Sequence, residues 1–213
     1  MFTGIIAAVG RITRIDSLGS AGPDSAAGVR LSIDAGGLPL ADVKLGDSIA
    51  INGACMTVID KDAGSFRVDV SRESLRRTAG LDAIGEVNLE KALTLADRLG
   101  GHLVSGHVDG QGEVVRFEPT GESWTLVVRA PHELGKFIAF KGSITVQGVS
   151  LTINSVTDVV TDGAAGTEFS INLIPHTLGA TNLRNLKAGA RVNLEIDLLA
   201  RYCERMLSYQ NTV

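Results

Sequence analysis

The sequence of 213 residues lacks the features on which several classes of protein depend. Its two cysteines, Cys55 and Cys203, are too few for a disulfide framework. No apolar run approaches the roughly 20 residues that cross a bilayer, and no basic-then-apolar leader precedes the first apolar segment. We therefore expect a cytoplasmic protein with reduced thiols and no membrane partner.

An excess of charge of one sign is also absent. The net charge is -4 and the basic residues are scattered, so the positive patch of a nucleic-acid binder is missing and we expect no nucleic-acid partner. The GxGxxG fingerprint, the P-loop, the GxSxG elbow and the CxxC motif do not occur. Any chemistry must therefore come from an apolar pocket with a polar fringe, and from the substrate itself.

Clusters of metal ligands are missing too. His102 and His107 are five residues apart, which places them on opposite faces of a strand and off a common face of a helix. No group of cysteines or carboxylates completes a ligand set around them. We expect no metal site.

Glycine, in contrast, is abundant. The 25 glycines exceed the usual share of about 7% and favour tight turns between short strands. Short alternating runs separated by turn signals predict a sandwich or a small barrel, with short helical pieces at residues 71–78 and 130–138.

The sequence is also internally duplicated, which decides how the strands are grouped. Four segments recur about a hundred residues later: MFTGII (1–6) as LVSGHV (103–108), NGACMTV (52–58) as QGVSLTI (147–153), FRVDVSRESLRRT (66–78) as FSINLIPHTLGAT (169–181), and VNLEKAL (87–93) as VNLEIDL (192–198). A glycine-, serine- and alanine-rich surface loop at residues 17–28 is an insertion in the first copy. We predict an all-β protein of two tandem antiparallel barrels, residues 1–101 and 102–197, followed by a helix at residues 198–213.

The predicted C-terminal helix has no counterpart in the first copy. Leu199, Tyr202, Cys203 and Met206 form one apolar stripe at helical spacing. A helix of about three turns is marginal alone, so the stripe must pack on something. Periodicity leaves two alternatives open, docking on its own barrel or contact with another subunit.

Chemistry is expected where the two copies differ. Cys55 and Thr57 share one face of a strand, and the second copy has Ser150 and Thr152 at the matching positions. A lone strand cysteine is usually a small buried hydrophobe, but a hydroxyl at its counterpart favours a lined pocket. His107 matches Ile5.

Two further pairs complete this comparison of the copies. Glu73 matches His176 near the end of the third repeated segment. Gly53 matches Gly148, and we interpret this pair as room for a bulge or for a ligand ring.

Five motifs taken together, MFTGII, GDSIAINGACMTV, GGHLVSGHVDG, KGSITVQGVSLTI and LIPHTL, resemble the riboflavin synthase family of the α-chain type. The resemblance implies six-stranded Greek-key barrels and a homotrimer joined by the C-terminal helix. It also implies an active site between the N-barrel of one subunit and the C-barrel of its neighbour. The implied reaction is a dismutation of two 6,7-dimethyl-8-ribityllumazine molecules. A four-carbon unit passes between them to give riboflavin and 5-amino-6-ribitylaminouracil, without a cofactor.

The same resemblance implies two substrate-binding sets. For the N-barrel they are Gly4, Ile5, Ile6, Cys55, Met56, Thr57, Asp69, Val70, Ser71, Arg72, Glu73 and Ser74, the last replacing an expected Thr. For the C-barrel they are Gly106, His107, Val108, Lys141, Ser150, Leu151, Thr152, Asn172, Leu173, Ile174, Pro175, His176 and Thr177. The candidates for proton transfer or nucleophilic assistance are Cys55, His107 and Ser48, with Ser150 and Thr152 orienting the ring.

Two other classes fit part of this pattern. A non-catalytic binder resembling lumazine protein would hold lumazine or flavin in one barrel, which leaves the polar set of the second copy unexplained. A flavin-binding barrel of the reductase type would need a nucleotide-binding partner domain, for which the chain has no room.

Overall fold

The duplicated strands form two closed barrels. The computed structural model describes residues 1–19, 28–161 and 163–210. The first barrel contains β1 (Ala8–Ser17), β2 (Val29–Asp34), β3 (Ser48–Ile51), β4 (Ala54–Lys61), β5 (Ser65–Val70) and β6 (Gly85–Lys91). The second contains β7 (Gly110–Thr120), β8 (Ser123–Pro131), β9 (Ser143–Val146), β10 (Val149–Thr161), β11 (Ala164–Leu173) and β12 (Arg191–Ile196).

Both barrels have the same antiparallel topology. The strand order is β1-β2-β5-β4-β3-β6 in the first barrel, and the second, β10-β11-β8-β7-β12-β9, is the same cycle with each strand replaced by its repeat. In the first barrel, hairpins join β3, β4 and β5, and the earlier strand β2 pairs with β5. This arrangement, which the second barrel repeats, is a Greek key. The fold predicted from the repeats and the family resemblance is confirmed.

The helices are short except for the last one. They are α1 (Arg72–Arg77), α2 (His132–Gly135), α3 (Pro175–Ala180), a 3-10 helix (Asn182–Asn185) and α4 (Leu198–Gln210). The helical pieces predicted at residues 71–78 and 130–138 are confirmed as α1 and α2. The third repeated segment also contains α3, a helix that was not predicted from the strand-like residues before it.

Alternation of apolar and polar residues fills each barrel. In β5 the side chains of Phe66, Val68 and Val70 are buried, while those between them face outwards. Phe169 takes the place of Phe66 in the second barrel and is buried as well. Each such burial stabilises the fold by roughly 1.5–3 kcal/mol.

The first segments of the two copies are exchanged between the barrels. Phe2 and Val104 pair as an isolated antiparallel bridge, and after that bridge the two segments separate. Ile6 packs against the core of the second barrel, whereas Val108 packs against the core of the first. The prediction of Ile6 in the N-barrel set and Val108 in the C-barrel set is therefore wrong, whereas Ile5 lines a cavity of the first barrel as predicted for that set.

Two hairpin turns bring the barrels into backbone contact. Asn52 and Gly53 connect β3 to β4 with φ of 48° and 84°, and Gln147 and Gly148 connect β9 to β10 with φ of 52° and 79°. Positive φ at both central residues defines the type I′ turn. A Cβ on Gly53 would lie 2.8 Å from the backbone nitrogen of Gly148, and one on Gly148 would lie 2.6 Å from that of Gly53. The interpretation of these glycines as room for a bulge or a ligand ring is wrong, because they make room for each other.

Buried amides reinforce this junction. The Asn88 side chain on β6 donates to the Gln147 carbonyl at 3.0 Å, and the Asn193 side chain on β12 donates to the Asn52 carbonyl at 2.9 Å. Each barrel thus satisfies the turn of the other, and an approximate two-fold axis relates the two sets of contacts. Buried hydrogen bonds of this kind are costly to break, so the junction is rigid.

Helix α4 turns its apolar stripe away from the chain. Leu199 is 65% exposed, Tyr202 61% and Met206 68%, and Cys203 is also exposed. Of the two alternatives for this stripe, docking on its own barrel is therefore wrong. No helix in the described ranges is long and apolar enough to cross a membrane.

The opposite face of α4 is polar and lies on the second barrel. Arg201 forms an ion pair with Asp109, and Glu204 forms one with Lys136 at 2.6 Å. The helix is thus amphipathic with its charged side inward, the reverse of a helix that covers its own core.

The inserted loop and the domain limits stay predictions. Within the surface loop predicted at residues 17–28, residues 20–27 lie outside the described ranges. The domain limits at residues 1–101, 102–197 and 198–213 stay a prediction.

Candidate functional site

A small cavity on the first barrel collects residues from both copies. Its volume is about 200 Å³, and its lining includes Cys55, Glu73, Ser74, Gly106 and His107. We name these five residues the N-barrel half-site. Cys55 and Glu73 belong to the first copy, whereas Gly106 and His107 arrive with the exchanged segment of the second.

Backbone contacts explain how His107 reaches Cys55. The Cys55 amide donates to the Gly106 carbonyl at 2.8 Å. A Cβ on Gly106 would lie 2.7 Å from both the Cys55 Cβ and the Phe2 ring. With φ of +78° and no room for a side chain, the position requires glycine. The next residue, His107, is exposed on the cavity wall.

Ser48 lies beside this half-site and not within it. In the register of β3 with β4, Ser48 is opposite Thr57 and Ala50 is opposite Cys55, so these side chains share the outer face. Ser48 lines a separate cavity of about 720 Å³ together with Ile5 and other residues. Two of the three predicted catalytic residues, Cys55 and His107, therefore share one cavity, and the third opens onto the next.

The second barrel presents the matching strand with a different neighbour. The Ser150 amide donates to the Gly4 carbonyl at 2.7 Å, repeating the contact of Cys55 with Gly106. The Ser150 hydroxyl is 2.7 Å from Nδ1 of His102. We name Gly4, His102, Ser150 and Thr152 the C-barrel half-site, whereas the Ile5 side chain lines the cavity of about 720 Å³ on the first barrel.

The surroundings of His102 favour its neutral form. The ring is 9% exposed, and burial lowers its pKa from the ordinary value. Its Nε2 is buried without a hydrogen-bond partner in the part of the chain that the structure describes. A neutral ring leaves Nδ1 free to donate to, or accept from, the Ser150 hydroxyl.

Lys141 stands at the far end of the same strand face. Its Nζ donates to Asn154 Oδ1 at 2.9 Å, two residues beyond Thr152 on β10. Its φ of +61° is uncommon for a residue with a side chain and aims this lysine from the turn before β9.

Two buried glutamates hold the exchanged segments. Glu90 accepts from the backbone and hydroxyl of Thr3, both at 2.7 Å, and from the Gly4 amide at 3.0 Å. Glu195 repeats this with the backbone of Ser105 at 2.7 Å, its hydroxyl at 2.6 Å and the Gly106 amide at 3.0 Å. Burial raises the pKa of each carboxyl group, against the lowering effect of these hydrogen bonds.

Four of the predicted binding residues face the barrel interiors. Met56 and Val70 belong to the first core, and Leu151 and Leu173 belong to the second. Alternation along β4, β5, β10 and β11 turns these side chains away from the surface that carries Cys55 and Ser150. Only their backbones are open to a ligand, except that Met56 also borders the small cavity.

The remaining predicted residues lie around the two strand faces. Asp69 is paired with Arg30 at 2.8 Å, which lowers its pKa, and Ser71 caps α1 by accepting from the Ser74 amide. Asn172 accepts from the Ser123 hydroxyl at 2.7 Å. The other members lie at or near the first turn of a short helix: Arg72 in α1, and Ile174, Pro175, His176 and Thr177 at the start of α3.

Sequence reasoning missed three residues that shape the half-sites. They are His102, Glu90 and Glu195. The two glutamates carried a signal, because a carboxylate recurs directly after the leucine of VNLEKAL and of VNLEIDL. His102 lacked one, since its partner Ser150 is 48 residues away.

Among residues 1–19, 28–161 and 163–210, no three His, Cys, Asp or Glu side chains are grouped so that they could hold a metal ion.

Comparison with known proteins identifies this architecture. The profile of the family described as "Lumazine binding domain" matches residues 3–92 and again residues 105–197. The solved structures of LumP with 6,7-dimethyl-8-(1'-D-ribityl) lumazine and with riboflavin superpose with TM-scores of 0.72 and 0.73. Each covers 92% of this chain and 99% of that chain, at 24% and 25% identity, which supports the fold.

Relatives of known activity match more closely in sequence. A riboflavin synthase of Photobacterium phosphoreum is 46% identical over 209 residues, covering 97% of this chain and 89% of the relative. One of Brucella abortus is 41% identical, covering 99% of this chain and the whole relative, and one of Bacillus subtilis is 41% identical, covering 99% and 92%. The chain therefore belongs to the riboflavin synthase family, with a lumazine binding domain in each of its two barrels.

Proposed function

We propose that this protein converts two molecules of 6,7-dimethyl-8-ribityllumazine into riboflavin and 5-amino-6-ribitylaminouracil. A four-carbon unit leaves one molecule and joins the other, so the reaction is balanced between the two substrates and needs no external oxidant. The observation that carries the proposal is the pair of half-sites on equivalent strands, with Cys55 beside Gly106 and Ser150 beside Gly4. Two copies of one substrate need pockets that bind the same ring yet assign different roles.

The chemistry is assigned to the N-barrel half-site. Removal of a proton from the ring methyl group needs a base that works near neutral pH, and the exposed imidazole of His107 is suited to this. Cys55 supplies a nucleophilic sulfur on the same cavity, and Ser48 a hydroxyl on the adjoining one. Holding two heterocycles in contact itself supplies much of the acceleration.

The other half-site orients its substrate. Ser150, fixed by His102, and the exposed Thr152 offer hydroxyls to the polar edge of the ring. The first turn of α3, with His176 and Thr177, follows β11 in the second barrel as α1 follows β5 in the first. These hydrogen-bonding groups suit binding of the substrate ring.

The active enzyme is proposed to be a homotrimer whose sites lie between subunits. The exposed apolar stripe of α4 supports assembly, since an uncovered stripe of this size on a helix marks a contact surface. The cavity of the N-barrel half-site, about 200 Å³, is by itself below the roughly 300–1,000 Å³ of a complete ligand pocket, so the binding surface extends beyond it, towards the adjoining cavity of about 720 Å³ and a neighbouring subunit.

The cytoplasm is the proposed compartment. Cys55 and Cys203 are both free thiols, and the proposed role of Cys55 requires a reducing environment.

The first test is to incubate the purified protein and EDTA with 6,7-dimethyl-8-ribityllumazine alone and to follow riboflavin fluorescence. Riboflavin and the uracil product should appear in equal amounts. Tight binding without riboflavin would overturn the proposal in favour of a non-catalytic lumazine- or flavin-binding protein.

A second test addresses the sites between subunits. A variant defective at Cys55 and a variant defective at Ser150 are unfolded and refolded together. If each site combines one N-barrel with a neighbouring C-barrel, mixed assemblies contain intact sites and recover activity. Mixtures no more active than the separate variants, at unchanged sedimentation, would contradict shared sites.

A further inference from the structure

Near His107, the second copy carries an aspartate where the first copy has an alanine. Asp109 and Ala7 are equivalent, because the Asp109 amide donates to the Leu194 carbonyl at 2.8 Å and the Ala7 amide to the Leu89 carbonyl at 2.9 Å. Leu194 and Leu89 are themselves equivalent in the duplicated strands β12 and β6. The duplication therefore provides its own comparison, in which a side-chain carboxylate has been added at one of two matched positions.

The added carboxylate is fully used. Asp109 Oδ2 accepts from the Ile196 amide at 2.9 Å, and Oδ1 accepts from the Arg201 guanidinium. The Asp109 side chain is 13% exposed, so solvent screens this end of the ion pair only partly. Ile196 ends β12, and Arg201 lies in the first turns of α4.

Asp109 stands two residues after His107. On the other side of His107, Gly106 is held by Glu195 through its amide and by Cys55 through its carbonyl. His107 and Val108 are therefore fixed at both ends. Gly106 is held by Glu195 of β12 and by Cys55 of β4, and Asp109 is held by Ile196 of β12 and Arg201 of α4. A short segment fixed at both ends has few conformations, and each anchor limits where the imidazole can point.

We propose that Asp109 and Arg201 are a positioning pair, which ties the C-terminal helix to the segment carrying His107 and thereby sets the N-barrel half-site. The inference rests on the proposed function for its catalytic consequence, and on the contacts above for its structural one. The apolar face of α4 points outward, so the same pair also sets the direction in which the helix presents that face. Assembly and the reacting group share one ion pair.

The helix offers a matched control. Glu204 and Lys136 form a second ion pair between α4 and the second barrel, at 2.6 Å, without touching residues 105–109. Loss of that pair loosens the docking of the same helix without releasing the His107 segment. Any effect specific to the His107 segment should therefore result from substitution of Asp109 or Arg201 and not from substitution of Glu204.

The test compares Asp109→Ala, which restores the residue of the first copy, with Arg201→Gln, the double variant and Glu204→Gln. The first readout needs no substrate: alkylation of Cys55 by iodoacetamide, followed by mass spectrometry of the Cys55 peptide. The Gly106 contact shields this thiol, so Asp109→Ala and Arg201→Gln should speed its alkylation severalfold. The second readout is kcat for riboflavin formation, expected to fall about tenfold with a smaller change in KM. Sedimentation of every variant is measured alongside.

The double variant should be no worse than Asp109→Ala, because the two side chains act through each other. Glu204→Gln should match the wild type in both readouts. Equal effects of Glu204→Gln and Arg201→Gln would overturn the proposal in favour of general helix loosening. A fall in kcat that tracks loss of assembly alone would overturn it too. If the wild type formed no riboflavin, the proposed function would fail, while the alkylation rates would still decide the positioning role.

Discussion

The N-barrel and C-barrel half-sites are built on equivalent strands and differ in what the exchanged segments deliver to them. The first barrel receives His107 from the second copy and sets it beside its own Cys55. The second barrel receives the backbone of Gly4 and sets it beside Ser150, whose hydroxyl is already engaged by His102. Reactive groups from both copies are thus concentrated in one half-site, and less reactive ones in the other.

This difference shows how a duplicated protein can divide two roles. If each segment had remained with its own barrel, a base would face a serine and a thiol would face isoleucine. Exchange of the segments brings the base and the thiol together with few substitutions. Glu90 and Glu195 hold both segments in the same way, so the scaffold stays symmetric while the chemistry does not.

The largest effect is expected from substitutions that force the two barrels apart at the junction of their turns. Gly53→Ala and Gly148→Ala should each lower the free energy of unfolding by about 3 kcal/mol, from overpacking plus the positive φ. Gly189→Ala is the matched control, since Gly189 has φ of +83° with nothing within 4 Å of a Cβ. It should cost about 1 kcal/mol. Urea denaturation measures all three, and equal losses would refute a crowded junction.

The next test exchanges the reactive atoms of the half-sites. Cys55→Ser makes the first half-site resemble the second and should slow riboflavin formation about a hundredfold, because the sulfur nucleophile is lost. Ser150→Cys makes the opposite change and should slow it only severalfold. Steady-state kinetics on both variants decides the matter. A larger loss from Ser150→Cys would reverse the assigned roles.

The glutamates allow one half-site to be disturbed at a time. Glu195→Gln should loosen the His107 segment and speed alkylation of Cys55, whereas Glu90→Gln should leave that rate unchanged. Each substitution replaces acceptors of buried amides and should lower the free energy of unfolding by about 2 kcal/mol. Chemical denaturation of the two variants checks that their losses of stability match. Alkylation at the same rate in both variants would argue against separate anchors.

The smallest expected effect concerns pH and is confined to the C-barrel half-site. Because burial lowers the pKa of His102 in the folded state, the unfolded state binds its proton first. The contribution of His102 is therefore complete above the unfolded value, about 6.5, and is lost as pH falls towards the folded value. His102→Gln should flatten this part of the stability curve relative to the wild type. Urea midpoints between pH 5 and pH 7.5 measure it, and parallel curves would contradict a buried neutral ring.

Much of the architecture was predictable from the sequence because it is repeated. Recurrence of NGACMTV as QGVSLTI marked both strands that carry the half-sites, and alternation separated Cys55 and Thr57 from the buried Met56. The functional family followed from five motifs in order. The partner of His107 did not follow, because its place in the repeat suggested the wrong barrel.

Local period and recurrence along the chain are enough to predict two barrels, their strand faces, the C-terminal helix and the positions at which the copies diverge. Contacts between distant residues fix the placement of His107 beside Cys55, the approach of Gly53 to Gly148 and the inward charged face of α4. Periodicity reports that a face is covered without reporting what covers it. That choice is made by contacts between residues far apart in the chain, which form only when both barrels close.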